Sequence, residues 1–471
     1  MIDNIVNSIK NDLDILIDIR NIELNDTKTY KFLCKGETTG LFQLESQGMR
    51  NVLKKLKPNN INDIIAVLAL YRPGPMEYID EYIERKNGKK YKMIHPVIDD
   101  ILKETFGIIV YQEQIMQIAS RFAGYSLGEA DVLRRAISKK NSIMLSNEKN
   151  NFINRAIANN RTREDSEKIY DHILRFANYG FNKSHSVAYG IVAYQTAYLK
   201  ANYSLYFMCE LLNNAIGDEN KTKQYIIEAK TLKINILGPD INKSDIYYKI
   251  ENGSIRFPLL GIKGCGMEIV KDILKIKDKH TISFKNLNTY IPDRALEALV
   301  KAGAFDSFSV SKKTLIESIG TKVNFNAFLD PNEIIVNSEY DDLELIKFEK
   351  EVLGFNLTQS PLRPYNNIIR QQNITCLSEI NDDFIDQTKN VIGFISKIKQ
   401  IKTKTNENMA FFLASDGIIE IEGFIFPQVL SNIEEAKSLD VNKVYLLKTK
   451  IRKRNDCIQL ELLDIIREVT L

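Results

Sequence analysis

The sequence predicts a multidomain α+β protein: a mainly α-helical domain, a smaller glycine-punctuated block and a small C-terminal β-barrel. Apolar residues recur at helical spacing through the first half, as at Ile64/Leu68 and Leu133/Ile137. From about residue 389 the period changes to alternation. Val391–Lys399, Met409–Ala414, Gly417–Phe426 and Lys443–Ile451 read as strands, within a stretch that would hold about five and close as a barrel. The length of 471 residues suggests roughly two to four domains.

In chain order, residues 1–25 read as a short amphipathic helix and a polar connector. Residues 26–232 form the helical domain, with helices expected over Ile61–Leu70, Gln112–Phe122, Leu127–Ser138, Ser166–Phe176 and Ser186–Tyr203. Pro73-Gly74-Pro75 ends the first of these, because proline cannot continue a helix. The Gly238-Pro239-Asp240 turn opens a second block, 235–320, with a glycine-punctuated segment at Leu260–Gly266 and a helix from Met267. Residues 321–388 read as an acidic, loosely ordered linker with one helix near Leu343–Leu353. The barrel occupies 389–471.

Composition narrows the function. Hydrophobic residues make up 44% and charged residues 27%, enough to build cores. No apolar run reaches membrane-spanning length, and Met1-Ile2-Asp3-Asn4 starts no signal peptide. The five cysteines form no C-x-x-C pair, which argues against zinc and disulfides and fits a reducing cytoplasm. Only four histidines are present, so an imidazole-built metal site is not expected. The net charge of +3 says little, but its distribution says more. Residues 121–140 carry Arg121, Arg134, Arg135, Lys139 and Lys140 against Glu129 and Asp131, whereas residues 330–351 carry eight acids against Lys347 and Lys350.

Five segments could carry chemistry. Thr38–Ser46 reads as a capped helix start. In Leu70-Tyr-Arg-Pro-Gly-Pro75 a rigid turn fixes the direction of Arg72. In Gly124–Lys140, Arg135 and Lys139 share a helix face flanked by Arg134 and Lys140, which suits either a solvated surface or a triphosphate. Asn178–Tyr189 gathers Lys183, Ser184, His185 and Ser186 at a helix start, a natural phosphate site. A Ser/His hydrolase is not expected, because there is no G-x-S-x-G elbow and Ser184 adjoins His185. In Gly261-Ile-Lys-Gly-Cys-Gly266 the glycines allow backbone to approach a phosphate closely.

Taken together, Thr39-Gly-x-Phe-Gln-x-Glu-Ser46, Tyr71-Arg-Pro-Gly-Pro75, Tyr111-Gln-Glu-Gln114, Leu133-Arg-Arg-Ala136 with Lys139-Lys140, and Tyr179-Gly-Phe-Asn-Lys-Ser-His-Ser186 resemble one family. In order and spacing they are similar to family C bacterial replicative polymerases, the DNA polymerase III alpha subunits of the DnaE type. The resemblance covers essentially the whole chain. It implies that 26–232 is a fingers domain in which Arg72, Arg134, Arg135, Lys139, Lys183 and His185 face the incoming dNTP. It implies that 235–320 is a helix-hairpin-helix module gripping duplex DNA through Gly261, Lys263, Gly264 and Gly266. Residues 389–471 would then be an OB-fold near the single-stranded template, with Lys397, Lys399, Lys402 and Lys404 as its basic rim.

The family's catalytic carboxylates lie in a palm that precedes the fingers and hold Mg²⁺ in a two-metal mechanism. Here the resemblance starts about where the palm ends, and Asp12-Leu13-Asp14 reads as surface charge. The expectation is a chain that lacks the palm, the phosphoesterase-like domain and any extension beyond the barrel, and is inactive alone. Its expected partners are primer–template DNA, dNTP and a separately supplied palm. A sliding clamp is a further candidate, with Asn324–Phe328 the nearest match to a clamp-binding peptide. The alternative is a stand-alone DNA-binding remnant.

Overall fold

The computed structural model describes residues 1–92, 95–138, 142–177, 180–279, 284, 287, 290–319, 338–372, 374–403, 405–436, 439–454 and 457–469. It forms two compact units, residues 1–207 and 208–471.

The first unit contains α1 (Ile2–Leu13), α2 (Thr27–Cys34), α3 (Gln47–Leu56), α4 (Ile61–Leu70), α5 (Ile79–Lys86), α6 (Pro96–Leu102), α7 (Gln112–Ala123), α8 (Leu127–Ser138), α9 (Ser142–Ala158), α10 (Arg163–Ala177) and α11 (Lys183–Asn202). Side-chain caps set the starts of several. Asp26, Ser46, Asn60 and Asn182 accept backbone N–H groups of α2, α3, α4 and α11, satisfying donors that a helix start leaves orphaned. Helix α4 is apolar over most of its surface because it is enclosed, with Ile64, Ile65, Ala66, Val67, Ala69 and Leu70 all buried. Helix α11 crosses it at Gly190, where a Cβ would come 2.7 Å from Ile65 Cγ1. The same contact is locked by Ser186 Oγ, which donates to the Ile65 carbonyl at 2.6 Å. Phe122, Tyr125, Phe152 and Tyr170 pack into an aromatic core among α7, α9 and α10.

The second unit begins in α12 (Ser204–Asn213), which crosses the boundary, and continues with α13 (Glu219–Thr231). A three-stranded sheet follows: β1 (Ile236–Leu237), β2 (Lys249–Glu251) and β3 (Ser254–Arg256), in the order β1-β3-β2. Then come α14 (Met267–Lys279), α15 (Asp293–Lys301), α16 (Lys312–Glu317) and α17 (Asp342–Leu353). After the short strand β4 (Thr375–Cys376), five long strands close a barrel: β5 (Thr388–Lys402), β6 (Asn408–Ser415), β7 (Glu420–Ile425), β8 (Val444–Arg454) and β9 (Cys457–Glu468). Their order is β5-β6-β7-β9-β8, with β8 returning to β5. The β7–β9 pairing is parallel and the others are antiparallel. Inward residues such as Val391, Ile395, Phe412, Leu447, Leu460 and Leu462 form its core.

The linker departs from expectation. Residues 320–337, including the clamp-peptide candidate Asn324–Phe328, lie outside the described residues. From Asp342 onward the chain is folded rather than loose. Glu349 of α17 is buried, and its carboxylate accepts the backbone N–H groups of Leu357, Thr358 and Gln359 and the Thr358 hydroxyl at 2.6–3.0 Å. Asn356 N–H then donates to the Gly417 carbonyl at 2.7 Å, and Ser360 Oγ to the Asp416 carbonyl at 3.0 Å, fastening the segment to the barrel. Strand β4 pairs with β5 through Thr375–Val391 and Cys376–Ile392. Acidity here marks helix caps and one buried carboxylate rather than a solvated tether. Asp12 and Asp14 are exposed, as surface charge should be.

His172 of α10 supplies a test of this packing. Burial, reinforced by Arg175 and Arg85 and opposed by Glu81, pushes its pKa down to about 4. The unfolded chain therefore takes up a proton that the folded chain refuses. Full stability is present above the ordinary histidine pKa of 6.5 and is lost progressively as pH falls to about 4. The loss expected from this group is roughly 3 kcal/mol. Urea unfolding of His172→Gln measured across that interval should show a flatter pH dependence than the parent chain.

Candidate functional site

The polar face of the helical unit is organised by a short pairing. Phe181 N–H donates to the Val110 carbonyl at 3.0 Å, and Gln112 N–H to the Phe181 carbonyl at 2.9 Å. This brings the start of α11 against the start of α7. Asn182 caps α11 through His185 N–H at 2.8 Å. Lys183 N–H donates to Glu113 at 2.9 Å, and its ammonium donates to both oxygens of Glu104 at 2.7 and 2.8 Å.

Around that pairing four of the six residues expected at the nucleotide converge. The Arg72 guanidinium lies 4.0 Å over the Phe181 ring, and its Nε donates to the Ala69 carbonyl at 3.1 Å. Burial draws its pKa below the usual arginine value, yet an arginine stays charged at neutral pH. His185 meets the Phe181 ring edge-on at 5.4 Å and the Tyr189 ring at 4.1 Å, and Tyr189 meets Phe42 at 5.2 Å. Lys183 lies beside Tyr111, its Nζ 5.3 Å from the ring centroid. Arg134 joins from α8 by donating to Gln112 Oε1 at 3.0 Å.

Arg134 and Arg135 share one counter-ion. Arg134 Nε and Nη2 donate to Asp131 Oδ1 at 2.9 and 2.7 Å, and Arg135 Nη2 reaches Asp131 Oδ2 at 2.7 Å. Hydrogen bonding from Arg134, with the charge of both arginines, holds the Asp131 carboxyl below the usual range. The Arg134 side chain is 23% exposed and that of Arg135 68%, so Arg135 is the more solvent-facing of the two. Lys139 lies outside the described residues.

Sequence reasoning missed the rings Phe42, Phe181 and Tyr189. Phe181, His185 and Tyr189 repeat at four-residue spacing, which was a visible signal. Phe42 comes from a distant loop; it lies in the Thr39–Ser46 string, but nothing in that string's spacing relates it to Tyr189. That loop is braced from inside: the buried Lys200 ammonium donates to the Glu37 and Thr39 carbonyls at 2.9 and 2.8 Å. Arg50 donates to the Glu45 carbonyl and Thr39 Oγ1, and Thr38 Oγ1 to the Leu44 carbonyl. The bracing leaves Phe42 38% exposed beside Tyr189 at 36%.

In the second unit the Gly261–Gly266 turn precedes α14. Gly261 closes a 3₁₀ turn, Gly264 has φ +98°, a region that favours glycine, and a Cβ on Gly266 would meet nothing within 4 Å. Lys263 N–H donates to the Val352 carbonyl at 2.8 Å, and its ammonium to Glu219 at 2.9 Å. A cavity of about 340 Å³ beside the turn is lined by Lys263, Gly264, Arg294 and Lys301 among others. On the barrel, a groove of about 470 Å³ is lined by Lys397, Lys399, Ile401, Phe411, Phe412, Leu413 and Glu422. Lys399 faces Phe411 across β5 and β6, and Phe411 faces Phe424 across β6 and β7. Lys402 stands opposite Asn408 at the end of that ladder, and Lys404 lies outside the described residues.

Among the described residues no group of three or more histidine, cysteine, aspartate or glutamate side chains is placed to hold a metal ion. Nor, among them, is any helix long and apolar enough to cross a membrane.

Two family profiles match parts of the chain. Residues 1–160 match the family profile described as the bacterial DNA polymerase III alpha subunit finger domain, and residues 233–315 match a helix-hairpin-helix motif. The chain is 42% identical over 451 residues to the DNA polymerase III subunit alpha of Bacillus subtilis, covering 91% of this chain and 40% of that protein. It is 40% identical over 484 residues to the corresponding subunit of Staphylococcus aureus, covering 98% and 44% respectively. The Staphylococcus epidermidis subunit is 40% identical over 479 residues, again covering 98% and 44%. The chain thus spans less than half the length of the curated relatives it matches.

Lys200 tests whether the Phe42 loop depends on internal bracing. Lys200→Met keeps the apolar stem but leaves the Glu37 and Thr39 carbonyls without their donor. Each buried acceptor so stranded costs roughly 1–3 kcal/mol. Lowered thermal stability and faster amide exchange across Thr38–Glu45 are expected, read by hydrogen–deuterium exchange.

Proposed function

Because the chain belongs to the bacterial DNA polymerase III alpha-subunit family, we propose that it handles the incoming nucleotide and the primer–template for a replicative DNA polymerase. The observation that carries this is the convergence of Arg72, Arg134, Lys183 and His185 around Phe181, beside an exposed row of rings. Guanidinium and ammonium groups suit the oxygens of a triphosphate, and ring faces suit a base or sugar. Arg135, the most exposed of the cations described there, is the group that solvent, and so a phosphate, reaches most easily.

The second unit takes the nucleic acid in this reading. The glycine turn at 261–266 and Lys263 contact the duplex backbone without reading sequence. The barrel serves as an OB-fold, with Lys397, Lys399 and Lys402 along phosphates and Phe411 stacking on an unpaired base. Domain limits at 26–232, 235–320 and 389–471 belong to the same proposal. Divalent metal in the whole polymerase would stabilise charge on the reacting phosphates. In this reading the metal-holding residues belong to a palm region, and this chain's own groups bind and orient; among the described residues no set fits such an ion. A sliding clamp completes the proposed partners.

The first test uses a polymerase in which this sequence is joined to its metal-holding region. Arg135→Ala should raise the apparent nucleotide KM by roughly tenfold, about the worth of one charge-assisted contact. Arg163→Ala, at an exposed helix position paired only with Glu167 in the ion pairs described, should leave it unchanged. If Arg134→Ala and Arg135→Ala both leave KM and kcat untouched, the nucleotide reading fails.

The second uses the purified chain and a labelled single-stranded oligonucleotide. Replacing Lys397, Lys399 and Lys402 together by alanine should reduce the slope of log affinity against log salt by about 2, since each phosphate neutralised on a single strand contributes about 0.7. An unchanged slope in fluorescence anisotropy titrations would remove the barrel groove from the interface.

A further inference from the structure

Three of the cations assigned to phosphate in the helical unit already hold carboxylates. Arg134 and Arg135 are held by Asp131, and Lys183 is held by Glu104. The turn lysine of the second unit, Lys263, is held in the same manner by Glu219. We propose that Asp131, assisted by Glu104, is an internal counter-anion that fills the phosphate positions while no nucleotide is present and sets nucleotide affinity by competing for them. This rests on the nucleotide reading of the site and adds the control of its affinity.

The geometry is that of a stand-in. One carboxylate places one oxygen on the Nε/Nη2 edge of Arg134 and its other oxygen on Arg135. Two oxygens of one phosphate group would engage two guanidinium groups in the same way. Asp131 lies three and four residues before the arginines, so it stays on their helix face in every conformation α8 permits. Arg134 is also tethered on its far side by Gln112. When an anion arrives, the aspartate must yield, because the guanidinium is fixed from two directions. Exposure makes the exchange feasible. Asp131 is 28% exposed and Glu104 36%, so neither carboxylate is trapped and each can return to water. A fully buried pair would resist displacement, since a freed partner would be left charged in a low dielectric.

A purely helix-stabilising role for Asp131 makes the opposite forecast. Pairs at these spacings steady a helix, and removing one would loosen the arginines and weaken anion binding. The two roles therefore separate by sign. The experiment is calorimetric titration of the purified chain with magnesium-free tripolyphosphate at low salt. Asp131→Asn should tighten binding roughly twofold to fivefold, the range open to a displaceable exposed ion pair. Glu104→Gln should shift affinity in the same direction, Asp131→Glu should stay near the parent value, and Arg135→Ala should weaken binding. Thermal melting shows whether each variant is folded. If Asp131→Asn fails to fold, Glu104→Gln decides alone, since it lies on a separate segment. Unchanged or weaker binding in the decisive variant, with Arg135→Ala still weakening it, overturns the counter-anion and leaves the nucleotide reading intact. No tripolyphosphate binding in the parent chain or any variant, or no effect of Arg135→Ala, overturns both.

Discussion

Two backbone hydrogen bonds, from Phe181 to Val110 and from Gln112 back to Phe181, fix the polar face of the helical unit. They join segments about seventy residues apart in sequence and set where two helices begin. The consequences spread outward. Gln112 is held where Arg134 reaches it, Phe181 is held under Arg72, and the first turn of α11 carries Lys183 and His185 past both. The cost of irregular backbone is offset by Gly180, at which a Cβ would come 3.3 Å from Gln112 Cγ, and by the Asn182 cap. Behind this face, α11 rests on α4 through Gly190 and Ser186, so the platform cannot slide without breaking a buried hydrogen bond.

Much of this was legible in the sequence, and the failures have physical reasons. Helix α4 begins and ends where its pattern said, because Asn60 caps it and the Pro73-Gly74-Pro75 turn bars continuation. Strand β9 escaped the pattern. Its buried positions run Leu460, Leu462 and then Ile465, because register shifts against β8 break the alternation. The acidic linker was misjudged since composition cannot distinguish a solvated carboxylate from one that, like Glu349, is surrounded by backbone donors. At the candidate site the cations were visible and their arrangement was not. Phe42 meets Tyr189 only through tertiary folding. Asp131 was counted as a dilution of basic charge, whereas the fold makes it the group that joins two arginines.

The two units present positive charge in different states, and that difference bears on how each would meet a polyanion. Near Phe181, Arg134, Arg135 and Lys183 are paired with carboxylates, so a phosphate arriving at them would exchange one anion for another. Few solvent counter-ions need leave, and the energy gained is the difference between two similar contacts. Among the described residues Lys397 and Lys399 make no ion pair, and they stand beside Phe411 in an open groove. A strand bound there would release its own condensed ions, which is the source of steep salt dependence. On the proposed reading the helical unit would discriminate among small anions by geometry, and the barrel would hold a long one by charge and stacking. In the proposed reading, weakly salt-dependent selection of a small anion and steeply salt-dependent holding of a strand both follow from that one difference in pairing.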